Sequence, residues 1–386
     1  MLKSQEMRRL APEMDPLRLG SGWMPEDLGK PQVLIESTFG DSHPGSAGLD
    51  RLVEAARKGV RDGGGFGARY FCTDICDGES QGTDGINFSL VSREMIAGMI
   101  EIHANATPFD AGIFIASCDK GLPGNLIGLC RADIPSVVIP GGTMNAGPEL
   151  LTLEQLGAYS ARYERGEIGE EKLDWAKQNA CPSCGACSFI GTASTMQMMA
   201  EALGLALPGS ALLPAESGEL LNYAYEAGKR AAKMAGHPEL RPSKLLTRES
   251  FENAILVHAA VSGSTNCLLH LPAIAHEAGI EIDIDTFDRL HRQVPYILDL
   301  RPAGRWPAEF FYYAGGVPAV MEQIKGLLHL DAMTITGHTL GENLEALKQN
   351  GYYGRCRQAM ELSNRRRGLH LTAEDVIRPA DNPLGT

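Results

Sequence analysis

Cys118, Asp119 and Lys120 stand side by side where a short apolar run gives way to a turn built on Gly121, Pro123 and Gly124. One loop thus offers a soft thiolate, a hard carboxylate and an amine. A Cys beside an Asp does not match a plain zinc site, whose ligands recur in spaced pairs. It suits two different metals held close together, because thiolates select iron and carboxylates select Mg2+. As a cation Lys120 would repel both; as a carbamate it becomes an anionic oxygen ligand.

Two further stretches carry related chemistry. "CDGESQGTDG" (76–85) places Asp77, Glu79 and Asp84 in a Gly-rich turn between a strand and a helix. Such a turn presents carboxylates to Mg2+ or is simply a solvated acidic loop. "CPSCGAC" spaces Cys181, Cys184 and Cys187 as C-x2-C-x2-C, like a run of iron–sulfur ligands without its fourth Cys. Combined, Cys118 and one of the three later Cys residues can hold an Fe–S cluster, with Asp77 and Asp119 holding Mg2+ beside it. A cluster with an open iron acts as a Lewis acid, and no dinucleotide fingerprint or P-loop points to other chemistry. Cys130, Cys267 and Cys356 lie on apolar or unremarkable stretches and read as small buried side chains. His258, His270 and His276 read as core or surface histidines. Ser262, Ser264, Thr265 and Asn266 follow a Gly-rich turn, where they either touch substrate or cap a helix.

The elements that position these residues alternate at βαβ spacing. Strands are expected over 31–38, 68–75, 111–117 and 135–142, with helices over 49–64, 89–106 and 125–132 between them. This predicts an α/β fold, a mostly parallel sheet flanked by helices, with ligands off the carboxyl ends of the strands. Residues 1–30 read as an N-terminal arm, 31–370 as the metal-binding α/β domain and 371–386 as the start of a further linker or domain. Segments 286–300 and 315–324 read as further αβ units.

Composition sets the outer bounds. The chain has 386 residues, enough for one large domain or two ordinary ones. A net charge of −13 argues against a nucleic-acid surface and gives no support for an anionic membrane. No apolar stretch approaches the ~18 residues of a membrane span, and no leader pattern is visible, so cytoplasm is the expected location. Crowded Cys residues in a reducing compartment point to metal or catalysis before disulfides.

From about residue 31 onward, "CDGESQGTDGINFSLVSRE", "SCDKGLPGNLIGLCRADIPSVVIPGG", "GACSFIGTASTMQMMAEALGLALPGS", "SGSTNCLLHLPAIAHEAGI" and "TITGHTLGENL" resemble the dihydroxy-acid dehydratase and phosphogluconate dehydratase family, which includes sugar-acid dehydratases. The resemblance implies a hydro-lyase that removes water from a 2,3-dihydroxy acid, a small-molecule substrate, to give a 2-keto acid. It implies Cys118 and Cys187 as Fe–S ligands and Asp77, Asp119 and Lys120, as a carbamate, as Mg2+ ligands. Family members are homo-oligomers, so an oligomer is expected. Gly45 stands where members with a 2Fe–2S cluster have a Cys, which favours a 4Fe–4S cluster here. Cys76, in a Cys-Asp-Gly variant shared with phosphogluconate and sugar-acid members, is then the expected third ligand, with Cys184 its rival. The substrate is either the branched-chain precursor 2,3-dihydroxyisovalerate or a sugar acid. The family also has a C-terminal β-rich domain with a Glu ligand and a Ser general base. This chain stops where that domain is expected to begin, so a longer polypeptide or a partner chain is expected to supply the base, and the chain alone is expected to turn over poorly. A non-catalytic cluster carrier or sensor on the same fold is the alternative.

Overall fold

A computed structural model describes residues 2–385. Four parallel strands form one sheet in the order β2-β1-β3-β4: β1 Gln32–Ser37, β2 Phe66–Phe71, β3 Ala111–Ala116 and β4 Ser136–Pro140. Val33, Leu34 and Ile35 of β1 and Ile113, Phe114 and Ile115 of β3 are fully buried. Unbroken apolar runs of this kind belong to parallel strands covered on both faces.

Short helices α1 (Lys3–Leu10) and α2 (Met14–Gly20) precede the sheet. The segment expected as an arm is thus helical, and it is tied down at the amino end of the sheet. Asp110 accepts hydrogen bonds from the Ser4 backbone N–H (2.9 Å), the Ser4 hydroxyl (2.6 Å) and the Gln32 N–H (2.8 Å).

After β1 come α3 (Pro44–Ala47) and α4 (Leu49–Asp62); after β2 come α5 (Asp77–Ser80) and α6 (Ser89–Ala106); α7 (Gly121–Ala132) links β3 to β4. Helices α8 (Leu156–Glu164), α9 (Glu170–Asn179), α10 (Thr192–Ala202) and α11 (Gly218–Met234) follow. α4 and α11 cross at glycines: a Cβ on Gly59 would stand 2.0 Å from the Tyr225 carbonyl oxygen, and one on Gly228 would stand 2.1 Å from that of Ala56. Only glycine allows backbones that near. α6 and α7 make a second pair, with α7 against β3.

Beyond these lie α12 (Pro242–Leu245), α13 (Arg248–Ala260), α14 (Cys267–Glu277) and α15 (Ile284–His291). The expected αβ units at 286–300 and 315–324 add no strand to the sheet. Leu298 and Leu300 make single bridges, to Ile377 and Trp306, rather than a ladder. The expected beginning of a further unit after 371 packs on this region too, with Val376 and Ile377 buried.

Two boundaries differ from expectation where function is concerned. β2 stops at Phe71 instead of running to 75, because Asp74 turns inward to a buried partner. α7 starts at Gly121, four residues before the expected start, and runs through Pro123 and Gly124. Pro is tolerated in a first helical turn, where its missing N–H is not needed. The Cys118-Asp119-Lys120 segment therefore lies at a helix N-terminus, whose dipole favours anions.

Candidate metal centre

The chain leaves β1 for β2 on one side and then returns to place β3 on the other side of β1. The carboxyl ends of β1 and β3 thus flank the switch point of the sheet, where open α/β sheets bind ligands. Three loops meet there. The first, after β1, carries His43 and Gly45; the second, after β2, carries Asp74, Cys76 and Asp77; the third, after β3, carries Cys118, Asp119 and Lys120.

The sulfur side of the site is built from these loops. One ligand atom each of His43, Cys76 and Cys118 lies within 4.8 Å of the others. The pairing of the two neighbouring thiols is the leading cause that holds Cys76 below the usual thiol range and Cys118 well above it. His43 is 2% exposed, and its Nε2 lies 3.0 Å from Asp74 Oδ1. Burial is the largest single influence and works against charge on His43, but the Asp74 hydrogen bond and charge, with Cys76 and Glu79, together raise the imidazole above its usual range. A Cβ on Gly45 would sit 3.0 Å from Cys118 Sγ and 3.1 Å from His43 Nδ1, so the bare glycine leaves space at the thiol. Cys187 enters from the later Cys run; burial pushes it up to about 12, and Asp119, Cys76 and Cys181 add to the effect.

The oxygen side adjoins it. Lys120, 4% exposed, donates from Nζ to Asp77 Oδ2 at 2.6 Å. The Ser89 hydroxyl at the head of α6 donates to the same carboxylate, 2.8 Å from Oδ1. Asp119 Oδ1 accepts the Ala193 N–H in the first turn of α10 at 3.0 Å. Burial raises the Asp119 carboxyl above the usual range, opposed by the neighbouring Lys120. Soft and hard donors therefore lie beside one another at the switch point, with Asp77 and Asp119 held by groups at helix starts.

A family model described as dihydroxy-acid/6-phosphogluconate dehydratase N-terminal matches residues 30–343. The chain belongs to this dehydratase family. It is 39% identical over 371 residues to a dihydroxy-acid dehydratase of Caldicellulosiruptor bescii, covering 94% of this chain and 62% of the relative. It is 42% identical over 336 residues to that of Caldanaerobacter subterraneus subsp. tengcongensis (85% and 60%). It is 40% identical over 335 residues to dihydroxy-acid dehydratase 1 of Methanosarcina acetivorans (85% and 60%). The chain thus spans about three fifths of the length of the curated relatives it matches. None of the helices among the described residues is long and apolar enough to cross a membrane.

Within this dehydratase frame the Cys run divides. The Arg51 guanidinium donates to Cys184 Sγ at 3.4 Å, and a Cβ on Gly48 would meet that sulfur at 2.5 Å, so Cys184 faces the start of α4. Cys181 and Cys187, by contrast, are both close enough to Cys76 for its charge to raise their thiols. Cys130, Cys267 and Cys356 are buried.

The 262–266 turn docks on the start of α10. Ser264 Oγ lies 3.0 Å from Thr192 Oγ1, the Ser264 N–H donates to Thr195 Oγ1 at 3.0 Å, and Asn266 Nδ2 donates to Thr192 Oγ1 at 2.6 Å. Asn266 occupies the N-cap position of α14 without a side-chain cap, and Ser262 has φ +50°. The turn therefore adjoins Ala193, the Asp119 partner; the side chains of Ser264 and Asn266 are engaged with the protein, while Ser262 and Thr265 are exposed.

Sequence reasoning missed His43, Asp74 and Ser89. His43 precedes Pro44 in a loop noted only for its Gly, and Asp74 fell inside an expected strand. His270, expected as a core or surface histidine, is fully buried: Arg93 lies 3.0 Å from its Nδ1, and burial first, then Arg93 and Lys120, press it down to about 3.

Proposed function

We propose that this chain is the metal-bearing part of a hydro-lyase acting on a 2,3-dihydroxy carboxylic acid, either a branched-chain dihydroxy acid or an aldonic sugar acid. The observation that carries the reading is that Cys76 and Cys118 lie together at the switch point beside the Lys120–Asp77 pair and Asp119, with Cys187 near enough for the charges of Asp119 and Cys76 to raise its thiol. The donor set fits both groups: thiols around the space at Gly45 suit a 4Fe–4S cluster, and adjacent carboxylates suit Mg2+. Cys118, Cys187 and Cys76 would hold the cluster; Asp77, Asp119 and Lys120 as a carbamate would hold Mg2+. When bound, iron supplies a Lewis acid for a departing hydroxyl, and Mg2+ supplies charge for the substrate carboxylate and C2 hydroxyl.

The chain's own residues prepare that chemistry. The dipole of α7 and the Ala193 N–H favour negative charge at residues 118 and 119. Ser89 and Lys120 fix the Asp77 carboxylate, so that it is oriented before a ligand arrives. Loss of the C3 hydroxyl and the C2 proton leaves an enol that tautomerises to the 2-keto acid, with no net oxidation. The alternative, a cluster carrier or sensor, needs no substrate.

Anoxic reconstitution with iron and sulfide separates the two readings. The dehydratase reading expects cluster absorbance that a dihydroxy acid protects against oxygen, and loss of iron in Cys76→Ala. A cluster with no protection by any of a panel of dihydroxy acids would favour the carrier.

A further inference from the structure

His43 is a buried imidazole with one nitrogen engaged and one free. Nε2 faces Asp74 Oδ1 at 3.0 Å and Ser46 Oγ at 3.0 Å. The Ser46 hydroxyl donates to the Gly40 carbonyl at 3.0 Å, so Asp74 is the acceptor for the Nε2 proton. Nδ1 is buried and has no hydrogen-bond partner among the described residues. It points to the spot where a Cβ on Gly45 would also meet Cys118 Sγ. A carboxylate that fixes one imidazole nitrogen while the other is left free beside a thiol is the arrangement of a metal-ligating histidine with its supporting acid.

We propose that His43 Nδ1, Cys76 Sγ and Cys118 Sγ form a three-donor site for a single thiophilic divalent cation of the Zn2+ or Fe2+ type in the cluster-free chain. Tetrahedral sites of such ions take Cys sulfur and His nitrogen, and a fourth position is left to water. One imidazole nitrogen of His43 and the two sulfurs already lie within 4.8 Å of one another, and Nδ1 shares the Gly45 spot with Cys118 Sγ, so small side-chain rotations bring the three donors to bonding distance around one ion. Asp74, 4% exposed, is the positioning residue: by accepting the Nε2 proton it directs the lone pair of the neutral imidazole to Nδ1. Occupancy displaces the protons of the two thiols. Because Cys76 and Cys118 are also proposed cluster ligands, the single ion and the cluster exclude each other.

The test starts from the full chain, reduced and stripped by chelator, before any iron or sulfide is added. Anoxic titration with Co2+ is expected to saturate at one equivalent, with sulfur-to-cobalt charge transfer and the visible bands of a tetrahedral ion. X-ray absorption of the Zn2+-loaded wild type is expected to show two sulfur and at least one nitrogen neighbour. Cys76→Ser and Cys118→Ser should each reduce the charge-transfer intensity by about half and weaken Zn2+ by at least ~100-fold, while Asp74→Asn weakens it by ~10–100-fold. One equivalent of Zn2+ should block later iron and sulfide uptake. Cobalt spectra without sulfur charge transfer, or spectra unchanged in both Cys variants, would overturn the site; so would zinc coordination by oxygen alone. These readouts precede cluster formation, so a chain that binds Co2+ yet never takes up a cluster would refute the cluster reading and leave this one standing.

Discussion

Replacing Asp77 by Asn removes one charge and almost no volume, and it isolates the contact on which the oxygen side depends. Lys120 Nζ and Asp77 Oδ2 are 2.6 Å apart, with side-chain exposures of 5% and 21%. At an effective dielectric of ~20 their attraction is ~6 kcal/mol, and desolvation takes several kcal/mol of that back. The amide keeps the Ser89 contact but leaves a buried ammonium without its hydrogen-bonded counter-charge. Asp77→Asn should therefore cost about 3 kcal/mol in the metal-free chain. Lys120→Met leaves a better-solvated carboxylate and should cost about 1 kcal/mol, and the double variant should show a coupling of about 2 kcal/mol. The assay is urea denaturation of the four proteins in chelator without bicarbonate. A coupling below ~0.5 kcal/mol, the scale of an exposed pair, would refute the buried-pair argument. Adding Mg2+ and bicarbonate then tests the carbamate: the wild type should gain stability with ligand concentration, and Lys120→Met should gain far less.

Gly228→Ala and Gly98→Ala should move stability in opposite directions in the same denaturation assay. The first forces α4 from α11 and should cost about 2–3 kcal/mol despite better helix propensity, while the second, with open space around its Cβ, should gain about 0.5–1 kcal/mol. Gly45→Ala crowds Cys118 and His43 at 3.0–3.1 Å and should reduce retained iron by at least ~10-fold after gel filtration, with a melting temperature within a few degrees of wild type. Burial raises the Glu36 carboxyl to about 7, opposed by His103 at 2.9 Å. The folded state thus holds this proton more tightly than the unfolded chain, so stability falls as pH rises from about 4.5 through 7, by about 3 kcal/mol at most. Glu36→Gln should flatten that part of the stability–pH curve.

The parallel sheet was legible because β1, β3 and β4 are continuous apolar runs bounded by Gly and Pro; its order, β2-β1-β3-β4, was not read from the sequence. The position of Cys118, Asp119 and Lys120 followed from the same pattern. What escaped has one physical cause: partners that meet only in three dimensions. His43 and Asp74 are thirty-one residues apart and fall in segments without apolar period, so nothing local marks them as a pair. The absence of strands after residue 286 has a similar origin. "VPYILDL" alternates well enough for a strand, but its neighbours offer single bridges instead of a ladder. The Cys run was legible as metal-like, yet which sulfur turns to the site depends on Gly48 and Arg51 receiving Cys184.

The loops that meet at the switch point also arrive in a fixed order in time. His43, Cys76 and Cys118 all precede α7, and the strands that carry them are immediate neighbours in the sheet. Cys187 follows Cys118 by roughly seventy residues, which at ~5–20 residues per second is roughly four to fourteen seconds of synthesis. α11, which packs on β3 and β4, comes later still. During that interval the nascent chain presents its first sulfurs without the last one. On the proposed metal chemistry, a ribosome that pauses before Cys187 would lengthen the window in which a stray ion, rather than a delivered cluster, meets the first thiols.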